Sequence, residues 1–159
     1  MSSQSPFLNE QHYLFNTTKL SYVFFSIGIK GIITKIVLYE PIDYKTYNLA
    51  FGDYQHETQT ISDKIVSNNG DTVKVLATVI QTIRDFFAAY PDVALQIQGS
   101  TEVRTRLYQK IIRDNLAEIE TEFKIFALRK GEIMLEIPDF SIQYERFYIF
   151  KQQLEQKDE

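Results

Sequence analysis

Two arginines, Arg104 and Arg106, stand just inside the start of a predicted helix, in the run Gln98-Gly99-Ser100-Thr101-Glu102-Val103-Arg104-Thr105-Arg106-Leu107-Tyr108. A cation in a first helical turn faces the partial positive charge of unsatisfied backbone NH groups, a conflict of about 0.3–1 kcal/mol. Something anionic is therefore expected nearby. Advancing 100° per residue puts Val103, Leu107, Tyr108, Ile111 and Ile112 on one arc, with Arg106, Lys110 and Arg113 opposite as a basic stripe. Arg104 falls within the apolar arc and is expected to point inward. A buried guanidinium needs a partner, and Asp53, Glu57 and the turn Asn68-Asn69-Gly70-Asp71 are the candidates. Two readings follow: Arg104 locks the helix to the sheet, or Arg104 and Arg106 form an anion pocket with the NH groups of Ser100 and Thr101.

The other reactive residue types make no such arrangement. Ser100 lies between a strand and a helix, but its context lacks the second glycine of a GxSxG nucleophile turn, so helix capping by Ser100 or Thr101 is the expected role. His12 and His56 are the two imidazoles and share no ligand spacing. His56, in Asp53-Tyr54-Gln55-His56-Glu57, reads as a solvated loop residue, with a general base beside a carboxylate as the alternative. No GxGxxG or GxxxxGK[ST] loop occurs, and cysteine is absent, which removes disulfides, thiolate zinc sites and thiol nucleophiles. The expectation is no catalytic residue, no metal and no cofactor.

At 159 residues, 44% hydrophobic, the chain has the size of one domain with its own core. Twelve Phe, ten Tyr and no Trp favour a sheet-containing fold over a helical bundle. The net charge of -4 argues against nucleic acid or anionic lipid as a partner of the whole surface. Met1 to Gln11 lacks a secretory signal, and the apolar run Tyr22 to Ile29 is too short to span a membrane, so a cytoplasmic setting is expected.

The elements that position these residues are legible from their periodicity. Tyr22 to Ile27 and Ile32 to Tyr39 read as a hairpin around Gly28-Ile29-Lys30-Gly31, and Thr46 to Phe51 as a third strand. Val73, Leu76, Ile80, Ile83 and Phe87, widened by Val79 and Phe86, predict a helix stopped by Tyr90-Pro91. Val93 to Ile97 reads as a central strand, and the arginine helix should end between Leu116 and Glu122. Phe123 to Leu128 and Ile133 to Ile137 read as a second hairpin, and Arg146 to Phe150 as a last strand or a helix, its aromatics favouring the strand. The fold class is α+β: three antiparallel strands, then helix, strand, helix and strand, in a mixed sheet with helices packed on it. This order is compatible with a ribonuclease-H-like sheet. The carboxylates that would hold two magnesium ions there are missing, since the first strand has no acid and only Asp71 and Asp85 lie in or near helix one. Residues 13–150 are expected to form the domain, with 1–12 and 151–159 as flexible ends.

The segments Tyr47-Asn48-Leu49-Ala50-Phe51-Gly52-Asp53, Val66-Ser67-Asn68-Asn69-Gly70-Asp71, Lys74 to Val79 and Gly99-Ser100-Thr101 with Arg104 to Gln109 together resemble an uncharacterised bacterial family, a domain of unknown function found mainly in the Bacteroidota. The resemblance spans Lys30 to Leu128. It implies a bacterial cytoplasmic protein, carries over no catalytic residue or cofactor, and groups Asp53, Asn68, Asn69, Asp71, Arg104 and Arg106. The functional expectation is a non-enzymatic binding or regulatory module that contacts a protein partner, or a small anion, at the start of the second helix. The alternatives are an enzyme acting on a phosphorylated or carboxylated small molecule, and a single-stranded nucleic acid binder using Arg106, Lys110 and Arg113.

Overall fold

The chain reverses at Ile29-Lys30, and the following Gly31 adopts φ +90°, a left-handed backbone that a β-carbon would strain. This turn joins β2 (Ser21–Gly28) to β3 (Gly31–Asp43) in the predicted hairpin, with Tyr22 opposite Val37 and Phe24 opposite Lys35. A second two-residue turn, Tyr44-Lys45, leads to β4 (Thr46–Gln55). Two three-residue strands flank this meander: β1 (Asn16–Thr18) pairs with β2, and β5 (Thr60–Ser62) with the end of β4. The computed structural model describes residues 12–13, 16–18, 20–62 and 69–152.

Helix α1 (Thr72–Ala89) carries the predicted apolar stripe, buried at Val79, Ile80, Ile83, Phe86 and Phe87. The stripe is rotated slightly, so that Val75 is buried and Val73 exposed. The helix stops before Pro91, as its missing NH requires, and β6 (Ala94–Ile97) then pairs in parallel with β4. Helix α2 (Glu102–Asp114) ends two residues short of the expected range. One further turn, α3 (Leu116–Ile119), completes that connection, and β7 (Phe123–Leu128) and β8 (Arg146–Lys151) finish the sheet.

The strand order is β1-β2-β3-β4-β6-β8-β7, a mixed sheet with three helices, so the α+β class holds. Strand β8 lies antiparallel between β6 and β7, which makes those two parallel to each other. The expected hairpin of Phe123–Leu128 with Ile133–Ile137 does not form. Phe147 and Ile149 of β8 alternate inward and give β7 an apolar partner. Segment 133–137 touches β7 at the single bridge Ala127 to Glu136 and leaves Ile133, Met134 and Ile137 exposed. Residues assigned to a flexible carboxyl end begin inside β8, and the Gln152 NH donates to the Glu122 carbonyl at 2.9 Å. The rest of the two expected flexible ends, apart from His12, lies outside the described residues.

All the helices pack on one face of the sheet. Tyr39 stacks on Phe86 at 4.4 Å, Phe87 lies 5.8 Å from Phe123, and Tyr108 and Ile112 of α2 share an apolar recess with Phe51 and Ile149. Among the described residues no helix is long and apolar enough to cross a membrane.

Candidate binding groove at the second helix

The turn from β6 into α2 is built by close backbone approach. A β-carbon on Gly99 would stand 2.6 Å from the Arg104 Cβ and 2.6 Å from the Thr105 nitrogen, so only glycine fits. The Gly99 NH donates to the Thr105 hydroxyl at 3.0 Å, and that hydroxyl donates to the Thr101 carbonyl at 3.2 Å. Thr101 is the N-cap: its extended backbone (φ -137°, ψ 163°) lets its Oγ1 accept from the Arg104 NH at 3.2 Å. Of the two candidates, Thr101 rather than Ser100 caps the helix. The cap leaves the Glu102 and Val103 amides, which lie too early in the helix for an intrahelical acceptor.

This turn forms one wall of a groove of about 490 Å³. Gln98, Gly99, Ser100, Thr101, Glu102 and Thr105 line one side, and Lys130, Gln143, Tyr144 and Glu145 the other. The second wall belongs to the segment between β7 and β8, which the topology brings here because β8 is the neighbour of β6. Gln109 fixes that segment, donating to the Ile142 carbonyl at 2.7 Å and accepting from the Tyr144 NH at 3.2 Å. Tyr144 is buried, donates to Glu136 at 2.9 Å, and has its phenol pushed up by burial and then by that carboxylate. Lys130 lies 3.9 Å from Glu102, both exposed. The groove thus combines one ammonium, two carboxylates, amides and hydroxyls, a mixed polar lining.

Neither arginine enters that lining. The buried face of α2 is centred on Thr105, Tyr108 and Ile112, because the two hydrogen bonds of the Thr105 hydroxyl satisfy a polar side chain at an inward position. The helix is turned accordingly: Val103 is 65% exposed, Arg104 is half-buried at the edge, and Arg106, Lys110 and Arg113 face solvent. Among the described residues Arg104 forms no ion pair. The expected carboxylate partner of Arg104 is therefore absent from this set, and Glu57 is exposed.

Asp53 does neutralise a buried cation, and that cation is Lys35. The two are register partners on β3 and β4, the lysine fully buried and the aspartate 8% exposed, with Nζ donating to Oδ1. The ammonium also lies 5.7 Å from the centre of the Phe51 ring. Lys35 was missed by motif reading although a signal existed. It shares strand parity with Val37 and Tyr39, so a period-two reading of β3 aims it at the core.

Asn69 and Asp71 anchor the entry to α1. The Asn69 amide donates to the Ser26 hydroxyl at 3.0 Å and to the Gly31 carbonyl at 3.1 Å, and its oxygen accepts from the Lys30 NH at 2.5 Å. Asp71 accepts from the Tyr13 phenol at 2.5 Å and from Ser26 at 2.6 Å. Burial, followed by the Asp71 carboxylate, pushes the Tyr13 phenol up. Gly28 makes this contact possible, since a β-carbon there would lie 1.8 Å from the Asn69 carbonyl oxygen. Asn68 lies outside the described residues. His56, with Nε2 3.1 Å from the Thr34 hydroxyl, sits on the β4–β5 turn and does not line the groove. Among the described residues no three His, Asp or Glu side chains gather as a metal site.

The sequence profile of one family matches residues 9–152, nearly the whole of this architecture from before β1 to after β8. The chain belongs to DUF6934, a family of unknown function. The match extends past both ends of the Lys30 to Leu128 span that carried the motif resemblance, and takes in β1, β2, β8 and the second wall of the groove. No curated protein matches the chain. No solved structure matches it either, and a ribonuclease-H-like relationship is not shown.

Proposed function

We propose that this DUF6934 chain is a non-enzymatic binding or regulatory module whose contact site is the groove at the start of α2. The single observation that carries the reading is the groove itself: about 490 Å³, walled by Ser100 and Thr101 on one side and by Lys130, Gln143 and Glu145 on the other. Wide polar clefts with hydroxyls, amides and both signs of charge suit a partner's peptide surface, where many short hydrogen bonds replace water. The partner in this reading is a protein, and a bacterial cytoplasmic setting follows from the motif resemblance. The reading gives Asn69, Asp71 and Asp53 a supporting role, because their hydrogen bonds are spent within the fold. An enzyme using Asp53 or His56 on a bound anion draws less support, since neither residue lines the groove.

Affinity purification from the native host, comparing the wild-type chain with Ser100→Trp, tests this. The expected result is a protein that co-purifies with the wild type and is lost when the indole fills the groove. A partner retained by Ser100→Trp, or none with either chain, overturns the reading. Thermal unfolding with inorganic phosphate probes the small anion, because a ligand at 100 times its dissociation constant adds about 2.7 kcal/mol. Stabilisation of that size, abolished by Ser100→Trp, would replace the protein partner with an anionic one.

A further inference from the structure

Among the described residues the helices leave the other face of the sheet uncovered, and its two ends are apolar. On β2 and β3 the positions opposite in parity to the core include Val23, Phe25, Ile27, Ile32, Ile36 and Leu38, interrupted by Ser21, Thr34 and Glu40, with Phe25 46%, Ile27 61% and Ile32 71% exposed. On β7 and β8 they include Phe126, Tyr148 and Phe150, all half-buried, and the Phe126 and Phe150 rings meet edge to face at 5.6 Å. A sheet face meant for water alternates with polar side chains. Here apolar residues gather at both ends of the face, beyond the scattered singles of an ordinary surface.

Between the aliphatic and aromatic ends runs a neutral row. Gln96 donates to Asn48 at 3.4 Å and accepts from Tyr148 at 3.1 Å and from Arg146 at 3.2 Å. The charges on the face are few: Lys124, Glu40, and Arg146, whose guanidinium is also held by Glu145 at 3.1 Å. A nucleic acid would need a track of cations for its phosphates, which this face of a chain of net charge -4 lacks.

We propose that two copies of this chain pack sheet to sheet through this face. The six strands from β2 to β7 in sheet order, averaging about eight residues at about 4.8 Å spacing, give a face of roughly 29 by 26 Å, about 750 Å² in projection. That is close to the ~800 Å² that each partner contributes to a standard stable interface. A two-fold axis near the β4–β6 boundary lays the aromatic end of each copy on the aliphatic end of the other, so one surface serves both partners. The net negative charge of each copy stays at the rim, where salt screens it. This inference is independent of the groove, which lies at the β6–α2 turn.

Sedimentation equilibrium of the full chain, over about a hundredfold range of concentration centred near 10 µM, tests it. The wild type is expected to be a dimer and Ile27→Lys/Ile32→Lys a monomer with unchanged far-ultraviolet circular dichroism. Ile133→Lys, at the 93% exposed tip of the β7–β8 segment, is expected to remain a dimer. Should the double variant lose its fold, Ile32→Lys alone is expected to weaken association at least tenfold. A wild type that stays monomeric throughout overturns the proposal, as does a dimer broken by Ile133→Lys but kept by Ile32→Lys. Oligonucleotide retention by a monomeric wild type, lost in Ile32→Lys, would assign the face to nucleic acid instead.

Discussion

Lys35 and Asp53 illustrate how one buried charge dictates the residue across from it. Removing a single partner from such a pair typically costs about 3–5 kcal/mol, whereas replacing both with apolar residues of similar volume is often close to neutral. Asp53→Ala should therefore lower the urea unfolding free energy by about 3–5 kcal/mol, and Lys35→Met/Asp53→Leu should recover most of the loss. A double variant as unstable as the single one would show that the charges, not their burial, maintain this part of β3 and β4. The pair also corrects the reading of the arginine helix. Helical spacing alone put Arg104 at the core, but the hydroxyl of Thr105, satisfied by Gly99 and Thr101, makes a polar residue comfortable there and moves the arginine to the edge.

At the scale of elements, the segment from Arg129 to Glu145 closes the groove and covers part of the β7 edge. It is held by the Arg129–Glu136 ion pair, with Nε to Oε1 at 2.6 Å, and by the two hydrogen bonds of the Ala127–Glu136 bridge. Hydrogen bonding from Arg129 holds the Glu136 carboxyl below its usual range. A depressed carboxylate pKa favours the folded form above the unfolded value, and that contribution is lost as pH falls through the folded value. Amide exchange, corrected for its intrinsic pH dependence, should show protection at Ala127 and Glu136 falling below the usual carboxylate range, near pH 4. Arg129→Gln should flatten that response. If the response persists in Arg129→Gln but is lost in Arg129→Gln/Tyr144→Phe, the Tyr144 phenol holds the Glu136 carboxylate, and if it persists in both, another acid controls the segment. This element also shows where sequence reading stops. The β2–β3 hairpin, β4, α1 and β6 were legible because their apolar periods and Gly or Pro breaks act locally. The partner of β7 was not, since Ile133 to Ile137 and Arg146 to Lys151 both have strand-like composition and only packing against β6 selects the second. For the same reason the sequence singled out Ser100 and Thr101 at the helix start, which line the groove, but gave no sign of Lys130, Gln143 and Glu145, brought there through β8.

Across the whole molecule, α1 and α2 pack on one face of a single sheet and leave between them an apolar recess of about 90 Å³ among Leu76, Val79, Ile80, Tyr108, Ile111 and Phe51. An unfilled apolar volume costs about 24 cal/mol per Å³ in a core that cannot collapse around it. One methylene added on the recess wall should therefore stabilise the protein, since it fills space and removes apolar surface from water. Val79→Ile, which keeps a β-branched residue in the helix, is expected to raise the unfolding free energy by about 0.5–1 kcal/mol. The same change one turn earlier, Val75→Ile, meets closely packed surroundings, because Val75 is 2% exposed and does not line the recess. There the added methylene should cost about 1–3 kcal/mol. Urea unfolding of the two variants, identical in composition, separates these outcomes. Equal destabilisation would mean that the helices already close the recess in solution, and that α1 and α2 pack as one layer rather than as two elements held apart by the sheet.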